Sequence, residues 1–131
     1  MEKIRIDKEL LDTLTCKAKI SPRKRMNYNL HASLDAKAQR LLNAMEPGTV
    51  LPIHRHPLTA ETYLLVRGEI NVVFYNEDKT VKDSCLLSLE TQNYGIHIPA
   101  GTWHTVEVLQ SAVIMEVKDG PYIPLSGEDV L

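Results

Sequence analysis

Residues Gly48 to Gly68, GTVLPIHRHPLTAETYLLVRG, constrain this chain more than any other stretch. His54 and His56 stand two residues apart, Glu61 follows five residues later, and a glycine closes each end. Side chains on a β-strand alternate between faces, so the two histidines point the same way from bases about 6.6 Å apart, and their imidazoles can converge on one ion. Glu61 is out of phase with them, and an unbroken strand would aim it at the opposite face. The chain must therefore turn in between. Pro57 lacks the N–H that a central strand needs, and the residues around Thr59 are polar or small, which places a turn at 57–60. Thr62 to Val66 then reads as a second strand, ending at Gly68.

The order and intervals of Gly48, His54, His56, Glu61 and Gly68 resemble the first motif of the cupin superfamily. The segment IPAGTWH, Ile98 to His104, resembles part of the second, with Pro99, Gly101 and His104 at the expected intervals. Asn93 stands where a glycine is expected and Val108 where an asparagine is expected, departures that touch a turn and a strand end rather than a ligand. The resemblance implies a small cupin β-barrel, a double-stranded β-helix or jelly roll, with His54, His56, Glu61 and His104 as metal ligands.

At 131 residues the chain reads as one domain able to bury roughly two thirds of its unfolded surface without staples. Fifteen Lys and Arg against 17 Asp and Glu give a formal charge of -2, which implies no general attraction to nucleic acid or to anionic membranes. The opening MEKIRIDKEL lacks the apolar core of a signal peptide, and no run is long enough to span a bilayer. Cys16 and Cys85 are far apart and form no metal-binding pair, which points to free thiols and a reducing cytoplasm.

Residues 7–20 predict a helix capped by Asp7, with Leu10, Leu11, Leu14 and Ala18 as an apolar stripe against the barrel and Ser21-Pro22 as the stop. The segment 23–31, RKRMNYNLH, shows no clean period and reads as a loop or an irregular edge strand. It is either a solvated basic connection or a flap over the barrel mouth. In the second case Arg25 meets a phosphate or carboxylate, and Asn27, Asn29 and His31 add hydrogen bonds. For residues 36–46 propensity favours a helix, but the cupin register places a strand at about Gln39 to Met45, and the register prevails. Pro47-Gly48 then turns into the histidine segment. Ile70 to Tyr75 and Val81 to Leu89 read as a hairpin around the polar loop at 76–79, followed by a loop at Thr91 to Tyr94. Further strands are expected at Ile96 to Pro99, Thr105 to Val108 and Ala112 to Val117, with an extended tail packed along the outside. Short strands with polar turns fit an all-β barrel or jelly roll. The chain divides into an N-terminal helix and flap segment at 1–35 and a barrel at 36–131.

Three imidazoles and one carboxylate suit a divalent transition metal, Fe, Mn, Ni, Co, Cu or Zn, and the lack of thiolate argues against a closed structural zinc site. An octahedral ion would keep two positions for water, substrate or dioxygen, able to polarise a carbonyl or make hydroxide. Tyr63, on the face of Glu61 along a regular strand, is a hydrogen-bond donor to substrate, or is simply packed. Glu116, in an apolar strand, faces water or lines a polar cavity as an acid or base. His97 reads as structural or exposed, and Trp103 as packed beneath the metal strand.

Along nearly its full length the chain resembles the WbuC-type cupin-fold metalloproteins of bacteria. The shared parts are SPRKRMNYNLH at 21–31, QRLLNAMEPGT at 39–49, HRHP at 54–57, IPAGTWHT at 98–105 and EVKDGPYIPL at 116–125. The resemblance implies a link to cell-surface polysaccharide synthesis and favours a flap at Arg23, Arg25, Asn27, Asn29 and His31. The resemblance does not give the reaction; the first reading of the open metal site is a metal-dependent enzyme, an isomerase or epimerase acting on a small polar substrate such as a sugar or sugar nucleotide. The alternatives are a non-catalytic sugar- or metal-binding module and an iron-dependent dioxygenase. By analogy with cupin barrels, the expected assembly is a homodimer.

Overall fold

The computed structural model describes residues 2–131. Helix α1 (Lys8–Ile20) begins where the Asp7 carboxylate accepts the Leu10 backbone N–H at 3.0 Å. It ends where the Ser21 N–H reaches the carbonyls of Lys17 and Ala18, just before Pro22. Its stripe of Leu11, Leu14 and Ala18 is buried against Leu42, Ala44 and Val113 of the sheet. Asp12 on the same helix accepts from Arg67 at 2.8 Å, fastening the helix to the sheet. Among the described residues no helix is long and apolar enough to cross a membrane.

Six strands follow: β1 (Arg25–Asn29), β2 (Ala38–Met45), β3 (Glu61–Tyr75), β4 (Val81–Ser88), β5 (Gly95–Ile98) and β6 (His104–Asp119). They form one antiparallel sheet in the order β1-β2-β6-β3-β4, with β5 paired to the start of β3. A short 3₁₀ turn at Gly127–Asp129 precedes the C-terminus. Strand β2 forms despite good helix formers because it is needed on both sides. Leu42 and Ala44 lie under α1, while Met45 enters the inner core. A helix would bury only one stripe.

Gly68 does not end a strand, and residues 104–119 are one strand rather than two. β3 and β6 pair almost end to end, with register irregularities between Leu65 and Ile70. Gly68 sits at φ +83, and a Cβ there would stand 2.1 Å from the Ser111 carbonyl oxygen, so only glycine fits. These bulges fold the β3/β6 ribbon over itself. The proof lies in two register partners: His104 pairs with Phe74 and Glu61 with Lys118, yet His104 Nε2 lies 2.8 Å from Glu61 Oε1. A straight ribbon would hold them roughly 40 Å apart at strand rise. Between the folded arms lies an apolar core that includes Leu65, Ile70, Val72, Leu87, Ile98, Val106, Ala112 and Ile114.

Residues 25–29 take the edge-strand form of the two expected, paired to β2 along their full length. Two other expectations change. The turn at Asn93 closes without glycine, through reciprocal backbone bonds between Ser88 and Asn93 of 3.0 and 3.1 Å, with the positive φ one residue earlier at Gln92. The tail is extended but does not run along the outside. Its Leu131 N–H bonds the Ile53 carbonyl at 2.9 Å, and the Arg55 N–H bonds Asp129 at 3.0 Å, which brings it beside the histidines.

Candidate metal centre

His54 lies outside any long strand, and its direction comes from a reciprocal backbone pair with His104, at 3.0 and 2.9 Å. Directly opposed residues of an antiparallel pair project side chains to the same face. The two rings accordingly stand 4.4 Å apart between centroids, with His56 5.1 Å from His54. Glu61 opens β3 and is buried at 3 % exposure, its Oε1 2.8 Å from His104 Nε2 and 3.7 Å from His56 Nε2. One donor atom from each of His54, His56, Glu61 and His104 lies within 4.8 Å of the others. Adjacent donors around an octahedral ion with bonds of about 2.1 Å are about 3.0 Å apart, so this spread fits a single ion with modest closure.

The outer contacts fix which nitrogen faces inward. His54 Nδ1 donates to the Pro52 carbonyl at 2.9 Å, and His104 Nδ1 donates to the Thr102 carbonyl at 2.8 Å. A carbonyl only accepts, so both rings carry their proton on Nδ1 and turn Nε2 to the common point, as metal-binding histidines do. His104 Nε2 and the Glu61 carboxylate are then both acceptors. Their 2.8 Å approach requires a positive charge between them, a proton or a metal ion. The Tyr63 hydroxyl donates to the same Glu61 oxygen at 2.9 Å and holds the carboxylate in place.

Burial alone would raise the Glu61 pKa, but the hydrogen bond and charge of His104, the charge of His56 and the Tyr63 hydroxyl bring it down to about 2. Burial, reinforced by His104, lowers His54 to about 4. Burial likewise lowers His56, against the pull of Glu61. The group thus presents an anionic carboxylate at Glu61 and neutral imidazoles at His54 and His56 at neutral pH, the protonation states that metal ligation needs. Glu116 moves the other way, raised by burial and then by the Glu61 charge. Tyr63 is raised well above its usual range for the same two reasons and stays a phenol.

Three of the donors, His54, His56 and Glu61, line a cavity of about 250 Å³. Arg25, Asn27, Tyr63 and Glu116 all line it. Tyr63 turns its hydroxyl to Glu61 rather than to open space, and Glu116 accepts from Asn43 Nδ2 at 3.2 Å. Asn29 is exposed and does not line the cavity. His31 is buried with Nδ1 against the backbone of Arg40, and it too lies off the cavity. His97 is exposed beside Thr62, and Trp103 is buried under the Arg55 guanidinium at 4.5 Å. The cavity also takes Lys118 and, from the tail, Tyr122 to Leu125. Lys118 shares strand parity with Glu116 and was legible on that ground. Nothing in the sequence marks the tail as part of the mouth.

Solved structures share this architecture. The chain aligns with the capsular polysaccharide assembling protein CapF of Staphylococcus aureus at 20 % identity and TM-score 0.66, over 80 % of this chain. It spans only 28 % of the CapF chain. The Cnp3 cupin domain of Schizosaccharomyces pombe aligns at 9 % identity and TM-score 0.59, over 73 % of this chain and 64 % of that one. Oxalate decarboxylase of Bacillus subtilis, a protein with Mn(II) centres, aligns at 16 % identity and TM-score 0.58, over 76 % of this chain and 26 % of that one. At these identities the likeness establishes the fold, a cupin jelly roll. None of the curated proteins compared matches the chain. Residues 6–87, which carry His54, His56 and Glu61 but stop short of His104, match a family described as Domain of unknown function (DUF6016), and the chain belongs to that family.

Proposed function

We propose that this chain is a WbuC-type cupin metalloprotein of bacteria, a metal-dependent enzyme that acts on a small polar, sugar-related substrate in cell-surface polysaccharide metabolism. The single observation that carries the reading is the His54, His56, Glu61 and His104 donor group, gathered within 4.8 Å beside a cavity that the first three line. The full-length sequence resemblance and the fold shared with a capsular polysaccharide assembling protein support the pathway. The cytoplasm and a homodimer complete the proposal, both by analogy.

A divalent ion held by these four residues would polarise a substrate carbonyl or lower the pKa of a bound water. The chain's own groups supply the rest. His54 and His104 are oriented by their Nδ1 bonds, Tyr63 steadies Glu61, and Tyr122 to Leu125 of the tail line the cavity beside them. Glu116, shifted toward the protonated form, gives or takes a proton at the ligand, which suits isomerisation or epimerisation next to a carbonyl.

Elemental analysis of gently purified protein, followed by chelation and calorimetric rebinding, tests the reading. A stoichiometric transition metal is expected in the wild type, with at least a hundredfold weaker binding in His54→Ala. Wild-type protein that neither retains nor rebinds such a metal overturns it. Turnover of sugar substrates that vanishes in His54→Ala marks an enzyme, ligand affinity without turnover marks a binding module, and oxygen consumption marks a dioxygenase.

A further inference from the structure

We infer that the cavity takes an anionic ligand of monosaccharide size, a sugar acid or a sugar phosphate. Its carboxylate or phosphate is held between Arg25 of β1 and Lys118 of β6 while its other oxygens face the metal-ligating group. This rests on the metal reading above and specifies the substrate class.

Charge is the first ground. Arg25 and Lys118 are both half-buried and line the same cavity. Among the described residues no carboxylate lies within 4.0 Å of either cation. Partly buried cations elsewhere in this protein do have partners: Arg55 holds Asp129 at 3.2 Å and Arg67 holds Asp12 at 2.8 Å. A desolvated charge without a counterion is costly, and a ligand anion removes that cost. The cavity wall carries Arg23, Arg25 and Lys118 against the carboxylates of Glu61, Glu116, Asp119 and Asp129, and a divalent ion in place tips that balance to positive.

Geometry is the second. Arg25 is pinned by one arm of its fork, which donates to the Val50 carbonyl at 2.8 Å and to Thr49 Oγ1 at 3.4 Å. The remaining guanidinium N–H groups are left to pair with a planar or tetrahedral anion. Lys118 is the register partner of Glu61 on one side and of Gln39 on the other, so its stem lies in the same cross-strand row as a metal ligand.

Size and lining are the third. Ligand cavities for drug-sized molecules run from about 300 Å³ upward, and this one holds about 250 Å³. A hexose ring with one acidic group fits, whereas a sugar nucleotide leaves its nucleotide outside. Asn27, Asn43 and Glu116 supply hydrogen-bonding groups for hydroxyls on the same walls.

The test is calorimetric titration of manganese-loaded protein with galacturonate, gluconate and glucose 6-phosphate, set against galactose, glucose and UDP-galactose. At least one acid or phosphate should bind tenfold or more tighter than its neutral parent. Lys118→Met and Arg25→Met should each erase that margin with manganese content unchanged, and Arg25→Lys should keep part of it. Carboxylate and phosphate probes tell the two anion sources apart. Acids and phosphates that bind no tighter than the neutral sugars, a margin that survives both variants, or UDP-galactose binding tightest overturns the inference. Those outcomes leave metal loading intact, whereas failure to load manganese or any other divalent transition metal overturns the metal reading beneath it.

Discussion

On one arm of the β3/β6 ribbon, where residues 61–65 pair with 114–118, the inner face carries Glu61, Tyr63, Glu116 and Lys118. On the other arm, where residues 70–74 pair with 104–108, it carries Ile70, Val72 and Val106, with His104 alone at the tip. The two arms share strands, pairing and one interior. The polar arm stays folded because its carboxylates find partners, Glu61 from His104 and Tyr63, and Glu116 from Asn43. The apolar arm needs none and supplies the packing that presses them together. The metal group exists only where the two arms meet.

Breaking the fold-back should have the largest effect. Gly68→Ala puts a Cβ against the Ser111 carbonyl in a left-handed backbone and should cost about 3–5 kcal/mol in urea denaturation. Metal affinity should fall with it, because His104 no longer meets Glu61. A variant that keeps both stability and metal affinity would show that the arms do not depend on that residue. Tyr63→Phe sharpens the contrast, since it alters only the polar arm. We expect about 1 kcal/mol from the lost hydrogen bond and roughly tenfold weaker metal binding, measured by denaturation and by chelator competition. Unchanged metal affinity would mean that Glu61 needs no such support.

Acidity probes the same arm most gently. In metal-free protein, His54 titrates at about 4 in the fold, below its ordinary 6.5, so the unfolded chain takes up the proton first. Stability is therefore full above pH 6.5 and is lost as pH falls toward 4, by roughly 0.7 kcal/mol between pH 7 and pH 6. Glu61 adds a further loss from the ordinary carboxylate range down to about 2. Denaturation in chelator at the two pH values checks the sign. A gain on acidification, or the same slope in His54→Gln, would show that His54 is not held neutral.

Legibility followed the range of the forces involved. Helix α1 was readable because its cap and apolar stripe lie within one short segment. The hairpin of β3 and β4 was readable because the polar loop at 76–79 separates two β-rich runs. Strand β2 runs against its own propensity and is legible only through the motif that follows it. The fold-back at Gly68 looks like a strand end in sequence, since a glycine there looks the same whether it stops a strand or bends one. Asn29 and His31, taken with Arg25 and Asn27 as one segment, part company from them because the register of β1 and the path after it decide which side chains reach the cavity.

The amino-acid order by itself determined the ligand types and their local spacing, because these depend on residues a few positions apart. Only the tertiary structure decided that Glu61 and His104 touch, that Arg25 and Lys118 share a wall, and that the tail lines the same cavity. Each of those contacts joins residues far apart in the chain, and their approach is set by one bend, one register and the packing of the arms between them.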